Sequence, residues 1–320
     1  MPRPPAVVRH PLPRPPAVVR LPLLPEGTMS IPSIENIKHI LVIGSGAMGS
    51  QIGMVAALAG YRVSVQDIAE DMLSQAKEQL TARMQANVAK GRTGAEDAEA
   101  ALGRLTFTTD LAAAAADADF VIEAATERLD IKRQIFERLG KLAPAHAVLA
   151  TNSSTLGSSK VADASGRPEQ VCNMHFFNPA LVMKCVEVVR HGQTSDATVE
   201  ATMELARRFG KEPVLINREI PGFVANRLMG AVQKEALALH SAGIASVADI
   251  DTTAKAALGH PMGPFELMDM VGLDVIAFIA EATHAETGND DDLPHPAIAR
   301  LVAEGHLGRK SGQGWYTYGK

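Results

Sequence analysis

Cysteine is scarce in this chain of 320 residues, which contains only Cys172 and Cys185. Both fall in apolar stretches typical of strands, and neither belongs to a Cys-X-X-Cys pair or to a spacing typical of metal ligands. This scarcity argues against a disulfide-stabilised secreted fold and against a cysteine-bound metal. We therefore expect two reduced, buried thiols, a cytoplasmic location and no metal site.

Two further features are missing: an excess of positive charge and a long apolar run. Lys and Arg number 31 against 36 Asp and Glu, and the net charge of −5 argues against general nucleic-acid binding. A local basic patch for a phosphorylated ligand remains compatible with that charge. No apolar run reaches the roughly 18 residues that span a bilayer. We expect neither nucleic acid nor a membrane as a partner, and the length allows one large or two ordinary domains.

Residues 1–28 differ in composition from the rest of the chain. The sequence PRPPAVVR occurs at 2–9 and again at 13–20, and nine of the 19 prolines fall within the first 25 residues. Such a segment cannot form a helix or join a central strand, so we expect a disordered or polyproline-like leader. It lacks the apolar core of a signal peptide, and its prolines forbid the amphipathic helix of a transit peptide. Met29 is therefore a candidate start of translation.

The stretch Lys38–Asp67 carries the strongest local pattern. An apolar run at Ile40–Ile43 ends at the sequence GSGAMG, residues 44–49. An alanine-rich helical segment follows, and a second apolar run, Val63–Val65, ends just before Asp67. The order of strand, glycine turn, helix, strand and acid is typical of a dinucleotide-binding unit.

Each position of the glycine turn has its own expected role. Gly44 allows a tight turn, Gly46 lets the backbone approach a pyrophosphate, and Gly49 lets the helix pack against the sheet. The free N–H groups at the helix N-terminus, at Ala47 and Met48, are expected to face the phosphates. The turn therefore predicts a dinucleotide site.

Asp67 indicates which dinucleotide is bound. It lies 18 residues beyond Gly49, at the end of the second strand, where a carboxylate accepts a hydrogen bond from a ribose 2′-hydroxyl. The carboxylate would repel a 2′-phosphate, and the following residues 68–70 (Ile-Ala-Glu) include no arginine to bind one. The sequence thus favours NAD over NADP.

Strand and helix patterns alternate from Asp67 to about residue 216. The further expected strands are Leu105–Thr108, Phe120–Glu123, Ala147–Ala150, Val171–Met174, Val182–Val189 and Val214–Ile216. The expected helices are about Glu70–Lys90, Leu111–Ala116, Glu127–Leu142 and Asp196–Phe209. This alternation predicts an α/β fold, a Rossmann-type NAD-binding domain over residues 29–218 with a mostly parallel sheet.

Strand patterns cease at Pro221. Helical patterns cover Phe223–Ala242, Val247–Leu258 and Leu273–Ala285. We therefore expect an all-helical C-terminal domain at 219–320.

Three polar residues stand where other residue types are more usual. His175 follows an expected strand at its C-terminal end, the side of an open α/β sheet where ligands bind. Glu187 interrupts an apolar strand, and Asn226 lies at the start of the first helix of the second domain. Each also has an ordinary interpretation: a structural histidine, an edge strand facing water, and a helix cap. The residues alone leave both interpretations open.

Several separated motifs make the chain resemble the 3-hydroxyacyl-CoA dehydrogenases, particularly the short bacterial 3-hydroxybutyryl-CoA type. In order, they are GSGAMGSQI, VIEAATE, TNSST, HFFNP, MKCVEVV, PGFVANR, GHPMGPFELMDMVGLD and GRKSGQGWY. The resemblance runs from about Ile37 to Tyr318. Its order and spacing make it far more specific than the glycine turn alone.

The resemblance implies a catalytic pair. His175 would take the proton of the 3-hydroxyl while hydride leaves C3 for the nicotinamide, and Glu187 would orient the imidazole and stabilise its charged form. Ser154 would hydrogen-bond the substrate oxygen near the nicotinamide, and Asn226 would contact the substrate from the helical domain. The site would then lie in the cleft between the two domains.

The resemblance also implies binding residues around this pair. Glu127, Lys132 and Asn178 match family positions near the cofactor, where Ser154 also lies. Lys90, at the end of the long second helix, matches a lysine that meets the CoA phosphates. Arg83 is assigned to the same substrate site, and an ordinary solvated helix face is the alternative for it.

The leading hypothesis is an NAD-dependent enzyme that reversibly interconverts (3S)-3-hydroxyacyl-CoA, expected to be 3-hydroxybutanoyl-CoA, and 3-oxoacyl-CoA. The family usually dimerises through its helical domain, so a homodimer is expected. One alternative is a related dehydrogenase of a free hydroxy acid, of the gulonate type, which would not need Lys90. The other is a catalytically silent, crystallin-like protein, against which the intact set of His175, Glu187, Ser154 and Asn226 argues.

Overall fold

Eight strands form one sheet in a computed structural model that describes residues 31 and 33–319. The strands are β1 (His39–Ile43), β2 (Arg62–Gln66), β3 (Leu105–Thr108), β4 (Phe120–Glu123), β5 (Val148–Thr151), β6 (Val171–Phe176), β7 (Cys185–Val189) and β8 (Glu212–Ile216). The leader predicted at 1–28 lies outside the described residues. All eight expected strands are present.

The sheet has the order β3-β2-β1-β4-β5-β6-β7-β8. Neighbouring strands are parallel from β3 to β6, β7 is antiparallel to β6, and β8 is parallel to β7. This confirms the predicted Rossmann-type, mostly parallel sheet. The chain reverses its direction of travel across the sheet between β1 and β4, and such a switch opens a crevice at the carboxyl ends of the strands.

Seven α-helices of the described residues accompany this sheet. They are α1 (Ala47–Leu58), α2 (Glu70–Ala89), α3 (Ala95–Gly103), α4 (Leu111–Ala115), α5 (Leu129–Leu142), α6 (Ser159–Ala162) and α7 (Asp196–Arg208). Because successive strand residues point to opposite faces, Ile40 and Val42 enter one buried core and Leu41 and Ile43 enter another. Helices therefore cover both faces of the sheet.

Five helices follow β8, and no strand follows it in the described part of the chain. They are α8 (Ala225–Ser241), α9 (Val247–Leu258), α10 (Pro264–Val271), α11 (Leu273–Thr287) and α12 (Pro296–Ala303). They enclose a third core around Phe265, Met268 and Leu273. The predicted all-helical C-terminal part is confirmed. Among the described helices, none has both the length and the apolar character that a bilayer span requires.

The glycine-rich end of the chain is fixed by a buried carboxylate. Asp269 on α10 accepts the N–H groups of Trp315 and Tyr316, each at 2.9 Å, and the Tyr318 hydroxyl at 2.9 Å. A buried carboxylate is stabilised when hydrogen bonds satisfy its oxygens. The sequence GRKSGQGWY therefore has a structural role, because its last two residues bring the final segment around Asp269.

Three helices, α3, α10 and α12, were not predicted, and the predicted start of β7 is wrong, each for a local reason. Helix α3 gave no apolar periodicity because it buries only Ala98 and Ala101. Helices α10 and α12 have only eight residues each and begin with proline. Their apolar residues therefore repeat over too few turns to show a helical period. Strand β7 begins at Cys185 instead of Val182, because the N–H groups of Val182 and Met183 both bond the Pro179 carbonyl in a turn.

Candidate active site

The candidate site lies along one edge of the sheet. Strands β1, β4, β5 and β6 are consecutive and parallel, so their carboxyl ends meet at that edge. The glycine turn, the segment 124–127, the loop after Thr151 and His175 therefore follow one another across it. This topology brings the glycine turn, Glu127, the loop that carries Ser154 and His175 to one edge of the sheet, as the sequence predicted for ligand-binding groups.

The glycine turn leaves open space and free donors. Gly44 has φ +94°, and a Cβ on it would come within 2.6 Å of the Ala124 carbonyl oxygen. A Cβ on Gly49 would overlap the Gly44 carbonyl oxygen, whereas one on Gly46 would meet no protein atom within 4 Å. Gly46 caps α1 with no side-chain hydrogen bond, so the first N–H groups of α1, including those of Ala47 and Met48, remain available. Open space beside free N–H groups fits a pyrophosphate.

Asp67 is held by the glycine turn itself. Its Oδ2 accepts the Ser45 N–H at 2.8 Å and the Ser45 hydroxyl at 2.9 Å. Its Oδ1 has only a long hydrogen bond, 3.3 Å, from the Ala69 N–H. The half-buried carboxylate is thus oriented with one oxygen left to accept from a ligand hydroxyl. With the open turn, this arrangement fits a dinucleotide that carries a free ribose 2′-hydroxyl.

Lys132 lies beneath this edge as part of a buried network. Its ammonium group is 2.6 Å from Glu123 Oε2 and 3.3 Å from the Thr151 hydroxyl, which donates to the same carboxylate oxygen at 2.8 Å. Lys132 and Glu123 are 1% and 0% exposed. A buried charge pair needs such additional hydrogen bonds to offset its loss of hydration. Lys132 therefore links the last residues of β4 and β5 through its ammonium group.

Glu127 connects this network to the next loop. Its side chain is about half exposed (53%), and its Oε2 lies 4.0 Å from the Lys132 ammonium. The same oxygen accepts the hydroxyl of the buried Ser153 at 2.5 Å. Glu127 thus connects the segment after β4 to the loop after β5, and its side chain is partly open to solvent.

The loop after β5 is anchored on both sides of Ser154. Asn152 Oδ1 accepts the Phe176 N–H at 2.8 Å, and the Ser153 hydroxyl accepts the Leu156 N–H at 2.9 Å while donating to Glu127. Ser154 is half-buried, and its hydroxyl has no hydrogen-bond partner among the described residues. The loop therefore fixes the backbone and leaves the Ser154 hydroxyl to bind a ligand.

His175 and Glu187 are paired across an antiparallel ladder. They are directly opposite in the register of β6 and β7, and His175 Nδ1 lies 2.9 Å from Glu187 Oε2. Their side chains are 6% and 1% exposed. The second carboxylate oxygen, Oε1, accepts the N–H groups of Val224 and Ala225 at 3.1 and 2.8 Å, at the start of α8. Glu187 is a buried strand residue and does not face water as an edge strand would.

The protonation of the pair follows from these contacts. Burial raises the pKa of Glu187, but the hydrogen bonds from His175 and from the N–H groups of Ala225 and Val224 outweigh it, so the pKa lies below its ordinary value. An ionised carboxylate can only accept hydrogen bonds, so Nδ1 of His175 carries the proton that it donates. In the neutral ring Nε2 then holds the lone pair, and Nε2 has no partner among the described residues. The geometry is that of an imidazole base.

Two aromatic rings fix the imidazole plane. The ring centroids of Phe177 and Phe223 lie 4.6 and 5.6 Å from that of His175. Phe223 is 1% exposed and has φ +46°, and it is the one non-glycine residue with positive φ in the described chain. Backbone strain of this kind costs about 1–3 kcal/mol and persists where surrounding contacts impose it. These rings limit rotation of the imidazole and keep water from it.

The remaining predicted residues have free polar groups, two of them close in sequence to the pair and its partners and two on helix α2. Asn226 is in the first turn of α8, next to Ala225, which binds Glu187, and Asn178 is exposed two residues after Phe176. Neither side-chain amide has a hydrogen-bond partner among the described residues. Lys90 directly follows α2 as its C-cap and is exposed. Arg83 is half-exposed and lies seven residues earlier, on α2 itself. Within the described chain neither cation is paired with a carboxylate.

Several residues of the site were missed by the sequence analysis. Glu123 is a charged residue in an apolar strand, the same signal that singled out Glu187, and it could have been found. Ser153, Phe223 and Asn152 carry no signal of their own, because their roles depend on contacts across the fold. In the described part of the chain, no three His, Cys, Asp or Glu side chains are placed to hold a metal ion.

Comparisons with known proteins found matches over most of the chain. A family model described as 3-hydroxyacyl-CoA dehydrogenase, NAD binding domain, matches residues 39–220, and the model of that family's C-terminal domain matches residues 222–318. A probable 3-hydroxybutyryl-CoA dehydrogenase of Deinococcus radiodurans is 40% identical over 277 residues, which cover 87% of this chain and 99% of the relative.

Two solved structures are similar in sequence and in fold. The (S)-3-hydroxybutyryl-CoA dehydrogenase of Ralstonia eutropha has a TM-score of 0.83 and 33% identity, with 89% of this chain and 100% of that chain covered. A diketoreductase, described as acting on dicarbonyl compounds, has a TM-score of 0.79 and 35% identity, with 88% and 99% covered.

The hydrogen bonds of Glu187 predict a pH-dependent stability. Replacement of Glu187 by Gln should destabilise the protein by about 1–3 kcal/mol at pH 7, because two backbone N–H groups and the imidazole lose a charged acceptor. The pKa of Glu187 is lowered on folding, so its contribution is present above the unfolded pKa of about 4.3 and is lost as pH falls through the folded pKa. Urea denaturation from pH 7 to pH 3.5 should show the two proteins converging at low pH.

The matched control is Glu212→Gln, since the Glu212 side chain is 76% exposed on the neighbouring strand β8. This control should change the stability by less than about 0.5 kcal/mol at any pH. A difference between wild type and Glu187→Gln that stays constant down to pH 3.5 would contradict the assignment.

Proposed function

This chain belongs to the 3-hydroxyacyl-CoA dehydrogenase family, and from that premise we propose that it oxidises (3S)-3-hydroxybutanoyl-CoA to 3-oxobutanoyl-CoA, reversibly. The chain carries the family's NAD-binding domain, and NAD is its cofactor. The observation that carries the proposal is the His175–Glu187 pair, in which Nδ1 is bonded and Nε2 is free. A secondary alcohol needs such a base to lose its proton as it becomes a ketone.

His175 would act as the base in oxidation and as the acid in reduction. Nε2 would accept the 3-hydroxyl proton, and the imidazolium that results would be stabilised by the Glu187 carboxylate at 2.9 Å. Because α8 directs two N–H groups at the other carboxylate oxygen, Glu187 would remain ionised throughout. A positioned base of this kind contributes about 10²–10⁴ in rate.

Ser154 and Asn226 would hold the substrate oxygen and the acyl group. Both side chains are free of protein hydrogen bonds and are placed by fixed backbone, one after β5 and one on α8. Donors that are aimed in advance at a developing charge need no reorganisation during the reaction. Ser154 follows β5, and Asn226 lies next to Ala225, whose N–H bonds Glu187; this arrangement supports a substrate bound between the sheet part and the helical part of the chain.

The cofactor would be held along the same edge of the sheet. The residues proposed to bind it are Gly44, Gly46, Ala47, Met48, Gly49, Asp67, Glu127, Lys132, Ser154 and Asn178. Among these the buried Lys132 would act through its contacts with Glu123 and Thr151. When bound, the nicotinamide supplies the acceptor for the hydride that leaves C3. Asp67 would accept from the ribose 2′-hydroxyl through its weakly bonded Oδ1.

The CoA part would bind along α2. Lys90 and Arg83 lie on one side of that helix, seven residues apart, and neither has a carboxylate partner among the described residues. In a protein of net charge −5, two cations on one helix face without carboxylate partners favour a phosphorylated ligand.

We further propose the division at 218/219 into an NAD-binding and a helical domain, a homodimer and a cytoplasmic location. The change from strands to helices after Ile216 supports the division. Leu228 and Phe278, 65% and 69% exposed on α8 and α11, support association through the helical part. Cys172 and Cys185 are free, and burial raises the pKa of the Cys172 thiol to about 12, so these thiols suit a reducing compartment.

A second candidate substrate is a dicarbonyl compound or free hydroxy acid without CoA. The 35% identical diketoreductase favours it. Such a substrate would use His175, Glu187 and Ser154 but would not need Lys90 or Arg83.

The test is an absorbance assay of NADH oxidation with acetoacetyl-CoA, repeated with acetoacetate and other free dicarbonyl acids. The proposed function predicts turnover of the thioester with a far higher kcat/KM. Turnover of free acids alone would replace it with the second candidate.

Replacement of His175 by Gln should lower kcat by at least two orders of magnitude with little change in NADH affinity. Gln cannot accept and release the proton, but it keeps much of the volume between Phe177 and Phe223. Stopped-flow turnover and NADH fluorescence titration would measure the two effects. His146→Gln, a part-exposed histidine paired with Asp119, is the control, and unchanged turnover in His175→Gln would remove it as the base.

Replacement of Asp67 by Ala should weaken NADH binding and narrow its advantage over NADPH. The carboxylate that accepts from the ribose hydroxyl and repels a 2′-phosphate is then absent. The ratio of kcat/KM for the two cofactors measures this, with Asp71→Ala as a control in the exposed first turn of α2. An unaltered ratio would show that Asp67 does not face the ribose.

A further inference from the structure

The segment that joins the sheet to the helical part makes a second polar contact with the candidate site, through Glu219. Glu219 lies between β8 and α8, and its Oε1 accepts the Ser158 hydroxyl and the Ser159 N–H, both at 2.9 Å. Its Oε2 accepts the Ser159 hydroxyl at 2.5 Å. Both carboxylate oxygens are therefore used to bind the far end of the loop that carries Ser154.

The same loop is bound from β6 by a buried amide. The Oδ1 of Asn173, which is 0% exposed, accepts the Ser158 N–H at 2.7 Å. Its NH₂ group donates to the carbonyls of Ser153 and Leu156, each at 3.2 Å. Asn173 lies two residues before His175, so the loop and the base share one strand as their support.

The approach of Glu219 to the loop depends on a glycine. A Cβ on Gly157 would lie 2.6 Å from the carboxyl carbon of Glu219, so a side chain at 157 would push the carboxylate away from Ser158 and Ser159. Because Gly157 has no side chain, the Glu219 carboxylate can pack directly against the backbone at this position.

The other end of the joining segment is fixed at the catalytic pair. The N–H groups of Val224 and Ala225 bond Glu187, and Phe223 packs on the His175 ring. The segment is therefore bound at Glu219 to the Ser154 loop and, four to six residues later, to the His175–Glu187 pair.

We propose that Glu219 is a positioning residue for Ser154: it holds the Ser154 loop in register with the His175–Glu187 pair through Ser158 and Ser159. The inference rests on the proposed function, since Ser154 matters to the reaction only if it binds the substrate oxygen. Glu219 would touch neither substrate nor cofactor. Removal of its carboxylate frees the hydroxyls of Ser158 and Ser159, so the loop keeps its anchors at Asn152, Ser153 and Asn173 but loses its contact with the joining segment. The Ser154 hydroxyl is then no longer held where the C3 oxygen binds. Misplacement of a binding group by about 1 Å can cost on the order of 10²-fold in rate.

The experiment compares Glu219→Ala, Glu219→Gln and the control Arg218→Ala, an exposed residue of the same segment, in the full-length protein with NADH and acetoacetyl-CoA. Glu219→Ala should lower kcat by about 10- to 100-fold, with unchanged NADH affinity. The primary isotope effect on kcat, with NADH deuterated at the transferred position, should increase because hydride transfer becomes slower. Glu219→Gln should retain most of the activity, since its amide oxygen accepts and its NH₂ donates to the Ser159 hydroxyl. Arg218→Ala should match the wild type.

A double variant separates positioning from general destabilisation. Glu219→Ala and Ser159→Ala act on one contact, so the double variant should be no slower than Glu219→Ala; Ser159→Ala also keeps the test available if Glu219→Ala fails to fold. Wild-type kcat and isotope effect in Glu219→Ala, or fully additive losses in the double variant, would overturn the inference. A wild type that reduces only free dicarbonyl acids would overturn the proposed function instead, and the same variants assayed on that acid would still test the role of Glu219.

Discussion

The carboxylate of Glu187 is the interaction on which the rest of the site depends. One oxygen accepts from His175 and the other from the first N–H groups of α8. A buried carboxylate without partners is costly, so the strand that carries it, the imidazole and the helix N-terminus are stabilised only in combination. One charge thereby orients the base, fixes its tautomer and brings the helix that carries Asn226 against the sheet.

The site combines a rigid frame with free polar groups. The Lys132–Glu123 pair, Asn152, Asn173 and Glu219 use their hydrogen-bonding groups to hold loops. In contrast, the Ser154 hydroxyl, the Asn226 amide and Nε2 of His175 have no protein partner in the described residues. Groups left free on a fixed backbone are suited to bind a ligand without reorganisation. The parallel strands explain why these groups meet, because the carboxyl ends of β1 and β4–β6 share one edge.

Local features were predictable from the sequence, and long-range contacts were not. The glycine turn and Asp67 lie within one βαβ unit, so their spacing alone indicates how they fold together. The alternation around Glu187 predicted a strand. Whether that strand lies at the edge of the sheet depends on β8, which pairs with β7 on its outer side. The pairing of His175 with Glu187 depends on the turn at Pro179 that sets the register of β7. Glu219 gave no signal, since a glutamate in a connecting segment is ordinary until its contacts are known.

A crystal structure of the protein with NAD and acetoacetyl-CoA bound together would test the role of the His175–Glu187 pair most directly. We expect the C3 oxygen within about 3.2 Å of His175 Nε2, with the Ser154 hydroxyl also in hydrogen-bonding distance of the substrate. A complex in which the C3 oxygen contacts a different acid or base, with His175 Nε2 directed away from the substrate, would contradict it.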